Sequence, residues 1–94
     1  MVISAQSIVV AVSEQLSSNV GGQAVVLHVN SGKYFGFEAV GARIWELIQQ
    51  PRRVSEIRDV VLREYDADPA ECEPDVLAFL QQIQEAGLIE VRDA

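Results

Sequence analysis

Basic residues are scarce in this chain. Seven Lys and Arg stand against fourteen Asp and Glu, for a formal net charge of −7. None occurs before Lys33, and none lies between Glu64 and Val91. Nucleic acid is held by clustered Lys and Arg that neutralise phosphates, so the balance argues against it as a partner. The chemistry-bearing residues are equally sparse. The one cysteine, Cys72, cannot form an internal disulfide, and it sits between Glu71 and Glu73, which disfavour a thiolate. The one histidine, His28, leaves no nucleophile–base pair, and His28 with Cys72 is too small a set for zinc. Gly21-Gly22 is a loop between strands rather than a phosphate cradle. Asp66, Asp68 and Glu71 lack the glycine and the terminal glutamate of a calcium loop. The apolar run Ile8 to Val12 is far short of a membrane span. No charged segment precedes an apolar one at the start, so no secretory signal is expected and the reading is cytoplasmic. These absences point to a protein that is not an enzyme, with no metal, cofactor, nucleic acid or membrane to bind.

What remains is enough for a core. The chain is 49% hydrophobic, which suits one globular domain over residues 1–94. The first third reads as strands: Ser7–Val12, then Gln23–Val29 after a loop holding Ser17-Ser18-Asn19 and Gly21-Gly22. An Asn30-Ser31-Gly32 turn returns the chain as a third strand, Lys33-Tyr34-Phe35-Gly36-Phe37. Alternation puts Tyr34 and Gly36 on one face and Lys33, Phe35 and Phe37 on the other.

The remainder reads as three helices. Residues 38–50 carry an apolar stripe of Val40, Ile44, Leu47 and Ile48, ended by Pro51. Residues 55–65 present Ile57, Val60, Val61 and Tyr65, with Ser55 as N-cap. The third helix starts at an Asp68 cap followed by Pro69 and Glu71. It carries Val76, Leu77, Phe79, Leu80 and Ile83, and ends at Ala86-Gly87 with Leu88 reaching back to Ile83. Pro74 predicts a kink or a separate first turn. The order gives an α+β fold like a winged helix-turn-helix: a three-stranded antiparallel sheet, then three helices. The third helix would be the DNA reader in such a fold, but its approach carries Glu64, Asp66, Asp68, Glu71, Glu73 and Asp75, which phosphates repel.

The third strand is a different matter. It is an edge with Lys33 as its only charge, so little deters pairing with another chain. Gly36 lets a second backbone approach closely. An extended peptide could add there as a further strand, beside a groove walled by the third helix. Phe35 and Phe37 read as core, Tyr34 and the backbone at Gly36 as the receiving edge. Self-association through the same edge, giving a homodimer, is the competing reading.

The segments "GKYFGFEAVGARIWELI" and "PRRVSEIRDVVLREYDADPAECEPDVLAFLQQIQEAGLIE" together resemble the PqqD-like family, from about Gly32 to Glu90. The resemblance rests on the order and spacing of several weak motifs. It implies a RiPP recognition element, which binds the leader segment of a ribosomally made precursor peptide and delivers it to modifying enzymes. The implied site is the third strand, Lys33, Tyr34, Phe35, Gly36 and Phe37, with the flank of the third helix: Asp75, Phe79, Gln82, Ile83 and Ala86, and Val76 and Leu80 deeper in. Within the family the chain looks most like the stand-alone recognition protein of lasso-peptide clusters, which works with a separate leader peptidase and a cyclase. The carrier of pyrroloquinoline quinone biosynthesis is the alternative. Glu38 stands where the family often has a better helix cap such as Asn.

Overall fold

A computed structural model describes residues 3–92. The elements follow in the order β1 (Ile8–Ala11), β2 (Gln15–Val20), β3 (Gln23–His28), β4 (Lys33–Glu38), α1 (Ala39–Leu47), β5 (Arg52–Arg53), α2 (Val54–Glu64), α3 (Pro69–Glu85) and β6 (Ile89–Arg92). The fold is α+β, with three helices and two three-stranded antiparallel sheets, ordered β5-β1-β6 and β2-β3-β4.

The second sheet corrects the strand assignment from sequence. Residues 15–20, expected as loop, form β2 and pair with β3 along their full length. The first strand then joins β5 and β6 instead of β3, so the anticipated third strand is β4 of the structure. The reason lies in pairing. β5 and β6 are short and distant in sequence from β1, and their backbone bonds to it carry no local signature.

β1 also supplies the start of α2. Its neighbourhood offers the carbonyls of Ser7 and Ala5 to the backbone N–H groups of Val54 and Ser55, at 2.9 and 3.0 Å. These satisfy two of the four donors that a helix start leaves unpaired. The helix therefore begins at Val54, with Arg53 in the cap position, and Ser55 is not the cap. Glu56 still turns back, accepting from the Arg53 N–H at 3.4 Å.

α3 follows its sequence signals at both ends. Asp68 Oδ1 accepts from the Ala70 N–H at 2.9 Å. Gly87 takes φ +77°, a left-handed turn that suits glycine. The Leu88 N–H donates to the Ile83 carbonyl and the Gly87 N–H to that of Gln84, at 2.9 and 3.0 Å, the two bonds of a Schellman ending. Pro74 lies inside the helix, which runs on through it as one element, so no separate first turn forms. One forfeited backbone bond is offset by anchors on either side. Cys72 is buried, and Glu73 accepts from Arg58 of α2 at 2.8 Å.

The core lies between the helices and the inner faces of the sheets. Ile44, Ile48, Ile57, Val76, Leu80, Leu88, Val9, Val26 and Val54 are its fully buried side chains. Burying each such aliphatic group is worth roughly 1.5–3 kcal/mol. A bidentate pair from Arg43 to Glu64, at 2.8 and 2.9 Å, ties α1 to the end of α2.

Candidate functional site

β4 pairs with β3 on one side only, so its other edge has no strand beside it among the described residues. The pleat turns Phe35 and Phe37 inward, half-buried, and leaves Tyr34 72% exposed on the opposite face. Phe37 is the hinge of an aromatic trio. Its ring lies 5.6 Å from Trp45 and 5.3 Å from Phe79, edge-to-face with the latter. Such pairs contribute about 0.5–1.5 kcal/mol beyond area burial. They fix β4 to α1 and α3 while keeping its far edge clear.

Between β4 and the C-terminal half of α3 lies a groove of about 510 Å³. Phe35, Gly36, Phe37, Phe79, Gln82, Ile83 and Ala86 line it. Seven of the twelve residues expected at the site therefore meet in one place. Asp75 and Val76 line an adjoining hollow of about 300 Å³ between α3, α1 and α2, which shares Phe79 and Gly41 with the groove. Leu80 is fully buried beneath, where it shapes the floor without reaching the surface. Lys33 and Tyr34 are exposed and line neither space.

Two lining residues were not anticipated. Glu38 closes the corner where β4 meets α1. It occupies the cap position of α1 but makes no side-chain cap bond. Its carboxylate instead accepts from Gln23 Nε2 across the hairpin at 2.8 Å. The turn into the helix is tight, with Ala39 at φ +51°. Gly41 is the other. A Cβ there would lie 3.1 Å from the Phe79 ring, so glycine is what lets that ring lie against α1. The signal was in the sequence, because a glycine inside a helical pattern marks a close approach.

Glu38, at the corner, is the one charged side chain lining the groove. Asp75 is exposed on α3, and Arg43 is occupied by Glu64 and Glu46. Burial pushes the Cys72 thiol up, with Asp75, Asp59 and Glu73 adding to the effect against Arg58. It is a poor nucleophile in the hollow it lines. His28 Nδ1 pairs with Ser31 Oγ at 2.8 Å, a local bond in the hairpin turn. No group of three His, Cys, Asp or Glu side chains among the described residues is placed to hold a metal ion. No helix among them is long and apolar enough to cross a membrane.

The family described as coenzyme PQQ synthesis protein D (PqqD) matches residues 23–89. The chain belongs to the PqqD family. This matched span holds β3, β4, all three helices and both lining surfaces of the groove. Solved structures agree on the fold. TbiB1, solved in complex with the TbiA(beta) leader peptide, is 34% identical with a TM-score of 0.81 over 86% of this chain and 94% of that one. A lasso peptide synthetase B1 complexed with a leader peptide superposes with a TM-score of 0.77 at 18% identity, over 87% and 96%. The PqqD portion of Methylobacterium extorquens PqqCD, described as a stand-alone RiPP recognition element, gives 0.75 at 21%, over 94% of each chain. No curated protein matches the sequence.

Proposed function

We propose that this protein is a non-catalytic RiPP recognition element. It binds the leader of a precursor peptide as an added strand on the free edge of β4. The observation that carries this is the pairing of an open strand edge with an apolar groove beside it. The edge supplies backbone donors and acceptors, and the groove takes alternate side chains of the incoming strand. Phe79 and Ile83 are the apolar contacts. Gln82 and Asp75 are the polar groups within reach of leader residues that turn outward. Leu80 and Val76 hold the helix that bears them. Gly36 and Tyr34 belong to the receiving strand, with Lys33 at its start.

The match to TbiB1, itself bound to a leader, supports leader binding by this chain, and the fold it shares with a lasso peptide synthetase B1 is in keeping with a lasso-peptide setting. There it would pass the leader to a separate leader peptidase and to a cyclase, in the cytoplasm. The reading as a carrier in pyrroloquinoline quinone synthesis is favoured by the family description. The acidic charge and the lack of Lys or Arg through α3 argue against a DNA-binding role for the same helix.

Fluorescence anisotropy of a labelled leader peptide, titrated with the protein, tests the proposal. Saturable binding is expected, weakened at least tenfold by Phe79→Ala, with backbone amides of β4 gaining hydrogen-exchange protection. Binding without protection at β4 would overturn strand addition. The absence of binding by a folded protein to leaders of both lasso and pyrroloquinoline quinone precursors would overturn the function.

A further inference from the structure

The face of the β2–β3–β4 sheet that turns away from the helices is apolar. Residues paired directly across an antiparallel sheet share a face. The register therefore lays out three outward rows: Leu16–Leu27–Tyr34, Ser18–Val25–Gly36 and Val20–Gln23–Glu38. Leu16 and Val20 are each 66% exposed, Val25 43% and Tyr34 72%. A Cβ on Gly36 would meet nothing within 4 Å.

A sheet with one packed face usually shows polar residues to water. In β2 the pattern is reversed. Gln15, Ser17 and Asn19 share the inner face with Ala24 and Val26, while Leu16 and Val20 point out. A slip of one residue would turn the apolar set inward. The full six-pair register with β3 holds it outward instead.

Charge says what can cover it. No Lys or Arg lies on these rows, and the one acid, Glu38, is held by Gln23 at 2.8 Å. In a chain of net charge −7, a face with a single acid sets little charge against another copy. The four exposed apolar side chains present on the order of 500 Å² together, at the upper end of what a monomer leaves in water. Two such faces with their polar neighbours come to somewhat over ~1,000 Å², enough for a specific but weak contact.

We propose that this face packs on the same face of a second copy about a two-fold axis, sheet against sheet. The contact is isologous, with the row of Tyr34 and Leu16 meeting its counterpart. It uses outward side chains and leaves the β4 edge and the groove free, so it does not depend on leader binding. Each dimer would offer two receiving edges. The contact has no ion pair to lose and two acidic bodies to shield, so salt tightens it.

Sedimentation velocity over about 10 μM to 1 mM, the range suited to a weak interface, tests the proposal at low and high NaCl. A dimer is expected that strengthens with concentration and with salt. Leu16→Lys and Val20→Lys change exposed positions and should leave the circular dichroism spectrum intact. Each should weaken association at least tenfold. Saturation with leader should leave the dimer in place. Monomer at every concentration in both salts would overturn the proposal and leave the face to a different protein. A dimer indifferent to Leu16→Lys, or one dispersed by leader, would overturn it in favour of contact through the β4 edge.

Discussion

The Phe79 ring lies against Gly41 so closely that a methyl group on the glycine would stand 3.1 Å from the ring edge. Phe79 is half-buried and has open space on two sides, the groove and the adjoining hollow. The ring can therefore yield, but only into the groove or the hollow, the first of which is the space we propose for a leader side chain. Gly41→Ala gains helix propensity of up to about 1 kcal/mol, which offsets the tight contact. Stability in urea should stay within about 0.5 kcal/mol of the parent. Leader affinity should fall roughly five- to tenfold, or about 1–1.4 kcal/mol. Full affinity with unchanged stability would mean that the ring position does not shape the groove.

Ala39 sits at φ +51° in the corner between β4 and α1. A non-glycine residue there costs on the order of 1 kcal/mol. Ala39→Gly relieves that strain and adds some entropy to the unfolded chain, for a net gain of about 0.5 kcal/mol. Ala39→Val should lose more than about 1 kcal/mol, because a β-branched residue fits this region worst. Urea unfolding midpoints measure both. Equal destabilisation by glycine and valine would show that the corner is unstrained.

Arg43 holds the Glu64 carboxyl below its ordinary pKa of 4.5, chiefly through their hydrogen bond, and the Arg43 guanidinium is raised in turn. A lowered acid pKa stabilises the folded state at neutral pH. The gain disappears as pH falls below 4.5 through the folded-state value. Thermal unfolding should show stability declining over that acid window. Glu64→Gln should flatten part of the decline while leaving the alkaline side unchanged. A variant with the parent's full acid profile would assign the loss to other carboxylates.

Cys72 is buried, and desolvation lifts its thiol above the ordinary value of 9.0. Ellman's reagent should react with it slowly in the native protein at neutral pH, and at the rate of a free thiol in denaturant. Fast native labelling would mean that the start of α3 opens on that timescale.

Asp68 holds one of the unpaired donors at the start of α3. Asp68→Ala should cost about 1 kcal/mol, and Asp68→Asn much less, as read from urea unfolding. Equal losses would move the effect from the hydrogen bond to the charge.

The ends of α3 were legible because their signals are local. Asp68-Pro69 and Gly87-Leu88 act on backbone groups within a few residues. Phe35 and Phe37 were likewise readable as the inward face of β4, because alternation along a strand is local too. β2 was not, because Gln-Leu-Ser-Ser-Asn-Val puts its apolar residues on the face without a core. Nor was the start of α2, whose donors are met by carbonyls almost fifty residues earlier in the chain. Trp45 fell outside the stripe drawn through Val40, Ile44, Leu47 and Ile48, yet it is 3% exposed and supports Phe37. Sequence spacing on one helix could not show which of its flanks β4 would cover.

The pairing of β1 with β6 sets how the molecule takes a load. Ile8 stands opposite Arg92, so the first and last described strands meet at their outer ends. Tension applied there would part the four pairs one after another, as a zipper opens, at low force. The β3–β4 hairpin lies mid-chain in the other sheet, outside that seam. Tension between the two ends would therefore be met first by this seam, away from the groove beside β4.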